Sequence, residues 1–140
     1  MSAFGVSTDD VMKDLKVFQR RTARYAFSRL YDETNPTPHF LVADEVGLGK
    51  TLVARGVIAQ SIEHLHKLND DQINIVYICS NSAIAQQNLR KLNVVGDEAI
   101  THADRLTLLT NEMQQIEKKK INLIAITPGT SFKLDGGGGT

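Results

Sequence analysis

The 140-residue chain has one cysteine, Cys79, so it can form neither an internal disulfide framework nor a multi-cysteine metal site. It has no net charge: 16 lysines and arginines stand against 16 aspartates and glutamates. No global field therefore advertises a polyanion partner, and any contact with nucleic acid has to be local. No apolar run approaches the roughly 18 residues that a membrane helix needs. The start, MSAFGVSTDD, lacks a basic stretch followed by an apolar core and is not expected to act as a secretory signal. These absences predict a soluble chain, expected in the cytoplasm, whose length suits one domain with one real core.

Periodicity supplies the elements. Ser7 or Thr8, followed by acids, is a capping signature, and apolar positions at Val11, Leu15, Phe18, Thr22, Tyr25 and Leu30 predict one or two helices with a break at Lys16. Two prolines make residues 34–39, TNPTPH, a turn. FLVA, residues 40–43, is read as a short buried strand of a parallel sheet. A helical pattern runs from Lys50 to Leu68, and INIVYICS, residues 73–80, is read as a second buried strand. A helix over 83–93 follows, then a loop, a short strand at 105–109, a polar helix over 111–120 and a buried strand at 121–127. Strands alternating with helices predict a three-layer α/β fold with a parallel sheet and right-handed crossovers.

The most informative stretch is ADEVGLGKT, residues 43–51, placed between an apolar run and a helix. A glycine-rich loop at that junction turns its backbone N–H groups inward and cradles anionic oxygens. Gly47 and Gly49 permit the backbone angles and the close approach, Lys50 brings positive charge to the terminal phosphates, and Thr51 offers its hydroxyl to magnesium. The bland reading is a glycine turn followed by a surface lysine. The strict signature G-x-x-x-x-G-K-[ST] is missed, because Asp44 stands where its first glycine belongs.

That departure carries a resemblance. ADEVGLGKT resembles motif I of superfamily 2 helicases and translocases, above all the Swi/Snf-like ATPases, where an acidic pair precedes GLGKT. VFQRRTARYAF resembles the segment upstream of motif I, in which a glutamine recognises the adenine edge, and Gln19 takes that place. YICSNSAIAQQN resembles motif Ia and IAITPGTSF motif Ib, both of which touch a nucleic-acid backbone. Motif I is specific; the others gain weight from their order, and together they span about residues 16–132. The resemblance implies an incomplete RecA-like P-loop domain over 39–135, preceded by a helical segment at 1–38 and followed by a glycine-rich tail at 136–140. It implies ATP and Mg2+ held by Gln19, Glu45, Val46, Gly47, Leu48, Gly49, Lys50 and Thr51, with Lys50 the catalytic group and Thr51 the metal ligand. It also implies a nucleic-acid strand, DNA in preference to RNA, along Ser80, Asn81, Thr127 and Gly129.

Each weaker candidate has a plainer reading beside it. Gln19 is otherwise a solvated helical residue. His64 and His66 lie two apart on different helix faces and are expected to be exposed rather than to share a metal. Cys79 is expected as a small buried apolar residue. Lys118 to Lys120 suit a solvated helix end, and Thr127-Pro-Gly-Thr is either a turn or a loop at the ligand-facing end of a sheet. No apolar strand ends in the Asp-Glu pair that would hold magnesium and orient water. Asp44-Glu45 sits before the phosphate cradle, and Asp97-Glu98 follows too short an apolar run. A facing domain with its arginine finger is also expected to lie outside the chain. The expected function is the ATP-binding part of a helicase or nucleic-acid translocase, joined in its parent to the remaining helicase domains. The alternatives are a non-catalytic nucleotide-binding interaction fragment and a P-loop small-molecule kinase.

Overall fold

The computed structural model describes residues 5–69, 72–96 and 118–127. The chain divides into two compact units, one made of residues 1–71 and 91–97 and the other of residues 72–90 and 98–140. The first unit is helical. Helix α1 (Thr8–Lys13) opens on Ser7, whose hydroxyl accepts from the Asp10 N–H at 3.3 Å. That bond satisfies one of the free donors of the first turn. Helix α2 (Val17–Leu30) begins at Lys16, the expected break. Helix α3 (Lys50–Lys67) is the long element of the unit, and α1 and α2 both pack on it.

The buried side of α2 differs from expectation. Gln19, Ala23 and Ala26 are buried, while Phe18 and Tyr25 are exposed, so the core stripe is rotated by about one residue from the apolar series read in the sequence. Size is the reason. A methyl group built on Gly56 of α3 would stand 3.0 Å from the Ala23 Cβ and 2.9 Å from the Leu15 Cδ1. Helices this close admit alanine opposite glycine and leave no room for a ring, so the aromatic residues turn outward. Met12, Leu15, Ala23 and Val53 form the core, with Val42, Leu52 and Val57 packed against them.

FLVA is not a strand. Residues 39–45 carry no strand pairing, and Leu41 is 84% exposed. The segment keeps the alternation of extended chain, with Phe40 and Val42 half-buried and Leu41 and Ala43 exposed. None of the described strands pairs with it, and an unpaired extended segment leaves its polar backbone to water.

In the second unit, β1 (Ile73–Ile78) and β2 (Ile121–Ile126) pair in parallel, with Ile73 opposite Ile121 and Ile78 opposite Ile126. The buried reading holds for β2 and fails for β1, whose Val76 and Ile78 face solvent. Asn122, fully buried, donates from Nδ2 to the Asn74 Oδ1 at 2.9 Å. This cross-strand amide pair favours the observed register over a one-residue slip, which would leave a buried amide without its partner. Helix α4 (Ser82–Leu92) buries Ala85 and Leu89, and its Asn88 donates to the Tyr77 hydroxyl at 2.7 Å. The α/β character and the parallel sheet are present, but the described residues contain two strands rather than a full three-layer sheet. The expected strand at 105–109 and most of the polar helix at 111–120 lie outside the described residues. No described helix is long and apolar enough to cross a membrane.

Candidate functional site

The loop over residues 44–49 leads into the amino terminus of α3, where free backbone N–H groups and the helix dipole favour an anion. Gly47 and Gly49 both have positive φ, 89° and 82°, a region that side-chain-bearing residues rarely enter. Gly49 is the N-cap, and its carbonyl accepts from the N–H groups of Leu52 and Val53 at 2.8 and 3.2 Å. Glu45, Val46, Gly47 and Leu48 are exposed, with Val46 at 98%, so the tip of the loop is open to solvent.

Lys50 folds back over this loop. Its Nζ donates to the carbonyls of Asp44 at 2.7 Å and Glu45 at 2.9 Å, so the ammonium group occupies the mouth of the loop. Thr51 is half-buried on the first turn of α3. These groups fit a nucleoside triphosphate with its divalent metal. Gly47 has no atom within 4 Å of where a Cβ would stand, the lysine holds two backbone acceptors that phosphate oxygens could replace, and Thr51 has a hydroxyl of the type that could serve as a metal ligand.

Gln19 is not the solvated residue of its plain reading. It is 3% exposed, and its amide bridges two elements. Oε1 accepts from the Lys16 N–H at 3.0 Å, closing the first turn of α2, and Nε2 donates to the Leu48 carbonyl at 2.9 Å. A Cβ on Gly49 would lie 2.5 Å from that Nε2, so any larger residue there would displace the glutamine amide, and the positive φ favours glycine in any case. Gln19 thus ties α2 to the glycine loop that precedes α3. That link was invisible in the sequence, where the two residues stand 29 positions apart.

At the carboxyl ends of β1 and β2 the residues fare differently. Ser80 is exposed. Asn81 is exposed too, but its Oδ1 accepts from the N–H groups of Ala83 and Ile84 and so caps α4. Thr127 is 5% exposed, its side chain withdrawn from solvent. Gly129 lies outside the described residues, as do Asp97 and Glu98. Cys79 is half-buried rather than buried, with its thiol donating to the Asn81 carbonyl at 3.1 Å. His66 is exposed, whereas His64 is half-buried, edge-on to Phe27 and Tyr31 with ring centroids 5.7 and 4.7 Å away. Among the described residues no three His, Cys, Asp or Glu side chains gather to hold a metal. Lys118 and Lys120 are exposed, as expected of a solvated helix end.

One residue escaped the sequence reading. Arg55 lies four positions after Thr51 on α3, and its Nε is buried without a hydrogen-bond partner. The available signal was a charged residue within the apolar run LVARGVI.

The family model for the DEAD/DEAH box helicase matches residues 20–135, most of the 140-residue chain. No curated protein and no solved structure matches it. The matched span contains the phosphate loop, Lys50, Thr51 and both strands, and it begins just after Gln19. The family's RecA-like α/β domain binds ATP with a divalent metal, and its enzymes are helicase-type ATPases that act on nucleic acid. A match of this length, over more than half of the chain, shows the family: the chain belongs to the DEAD/DEAH box helicase family.

Proposed function

We propose that this chain is the ATP-binding part of a Swi/Snf-like, DNA-directed translocase that couples ATP hydrolysis to movement along the polymer. One observation carries the reading: two glycines of positive φ lead into an 18-residue helix whose first residue, Lys50, reaches back into the loop. Binding exchanges the Asp44 and Glu45 carbonyls for the terminal phosphates as partners of the ammonium group. Loop N–H groups and the α3 dipole hold the phosphate oxygens, and Thr51 supplies its hydroxyl to Mg2+. The bound metal spreads the charge of the triphosphate. Gln19 keeps one N–H and one oxygen lone pair beyond its two internal bonds, and these match the adenine edge.

Ser80, Asn81, Thr127 and Gly129 serve the nucleic-acid backbone in this reading, Thr127 only after its side chain is released from its buried position. Contacts of that kind position a strand and read no sequence. The ATPase of the intact protein, measured with duplex DNA, duplex RNA and neither, tests the proposal. Stimulation by DNA above RNA is expected. A rate indifferent to both polymers would leave a nucleotide-binding interaction module, and phosphoryl transfer to a small acceptor would make the chain a kinase.

A further inference from the structure

The charge balance of the whole chain conceals a strongly basic element. Helix α2 carries Arg20, Arg21, Arg24 and Arg29 within 14 residues and has no Asp or Glu. Two of the four are engaged within the chain. Arg20 donates to the carbonyls of Lys13 and Leu15, and Arg29 donates to the Thr37 hydroxyl and lies 3.9 Å from Asp32. Arg21 and Arg24 are exposed, and their side chains make no hydrogen bond or ion pair. They stand three residues apart and share one side of the helix with Val17 and Ser28, which are exposed as well. Beside them Tyr25 is 60% exposed and Phe18 is also open to solvent. The Tyr25 ring is held by an edge contact with Phe40 at 5.7 Å between centroids.

A helix that turns its rings outward because glycine and alanine fill the helix interface thereby presents unpaired guanidinium groups next to exposed aromatic rings. Guanidinium pairs with phosphate, and an aromatic face stacks on a base of any sequence. We infer that the outer face of α2, formed by Phe18, Arg21, Arg24 and Tyr25, binds a single nucleic-acid strand through residues other than those of the motif Ia-like and Ib-like segments. The choice of a nucleic acid over an acidic protein segment rests on the function proposed above and on the two exposed rings, which a carboxylate-rich segment would not require.

The test is an anisotropy titration of the full chain with a labelled oligothymidylate at several salt concentrations. In Arg21→Gln/Arg24→Gln, which removes both charges and leaves a polar side chain at each position, the slope of log affinity against log salt should flatten by about 1.4, at roughly 0.7 per lost phosphate contact in a single strand. Arg21→Lys/Arg24→Lys should restore the wild-type slope, and Tyr25→Ala should weaken binding about ten-fold with the slope unchanged. An unchanged slope in the glutamine pair overturns the site, as does wild-type affinity for poly-glutamate equal to that for the oligonucleotide. Absence of oligonucleotide binding at low salt overturns it too. Thermal stabilisation by Mg-ATP, read on the same samples, reports separately on the nucleotide site: its absence counts against the proposed function, and the salt slope bears on α2 alone.

Discussion

In the proposed binding mode, phosphate reaches Lys50 only after the ammonium group leaves the Asp44 and Glu45 carbonyls. Lys50→Ala removes those two bonds and the charge together, yet the side chain is exposed and contributes nothing to the core. The fold should survive, and nucleotide binding should not. At about 100 times its dissociation constant, Mg-ATP should stabilise the wild type by roughly 2.7 kcal/mol. Thermal melts should show that shift in the wild type and lose it in Lys50→Ala; equal shifts would remove the lysine from the site. Gln19 poses a finer question, because its amide already supports the loop. If it also reads adenine, Gln19→Ala narrows the preference for ATP over GTP, as measured by competition. Equal weakening of both nucleotides would reduce Gln19 to loop support.

Asp32 gives a residue-scale prediction with a definite sign. The Thr34 hydroxyl, then the backbone N–H groups of Thr34 and Asn35, hold its carboxyl down to about 2 from an ordinary 3.8. A depressed folded-state value means the stabilisation is present above the ordinary value and is lost as pH falls from about 4 toward about 2. A carboxyl-carbon NMR titration should find the depressed midpoint, and Thr34→Val should raise it toward the ordinary value. A midpoint unmoved by Thr34→Val would mean the hydroxyl is not the main cause.

Among the elements, the α2–α3 contact shows how small residues set geometry. Gly56 is needed for space, since a Cβ there meets Ala23, Leu15 and Met12 at 3.0, 2.9 and 3.2 Å. Gly56→Val should therefore destabilise the fold by about 1–3 kcal/mol despite valine's better helix propensity. The urea midpoint should fall with little change in slope. A variant as stable as the wild type would mean the helices separate at little cost. The same crowding explains why α2 was misoriented in the sequence reading. Hydrophobic spacing ranked Phe18 and Tyr25 above the alanines, but a helix that approaches a glycine closely has room for alanine there.

For the whole molecule, the prediction concerns turnover. Phosphoryl transfer needs the charge stabilisation that an arginine finger supplies, worth about 10³ to 10⁵ in rate, and an acid pair to hold metal and water. The described site offers a cradle, a lysine and a hydroxyl, and binding the ground state alone lowers no barrier. Mg-ATP is expected to bind the 140-residue chain without hydrolysis at a useful rate. A phosphate-release assay tests this. Several turnovers per second, lost in Lys50→Ala, would overturn it and direct attention to Asp97 and Glu98 as the acids.

The chain's local order already determined the helices, the break at Lys16, the pairable apolar segments at 73–78 and 121–126, and the loop GLGKT ahead of α3. Those features depend on neighbours within a few residues, through capping, periodicity and the backbone freedom of glycine. Tertiary structure decided what depends on distant partners. FLVA has a strand's composition but no ladder among the described residues, and β1 reads as apolar yet leaves one face open. Gln19 reached the phosphate loop only because α2 packs on α3 and brings it to the Leu48 carbonyl. Thr127 and Asn81 were identified by type and position, but burial of the first and the capping role of the second follow from surroundings that no linear spacing encodes. Side-chain chemistry is legible residue by residue; whether a donor is left free for a ligand is settled when the fold supplies or withholds its partner.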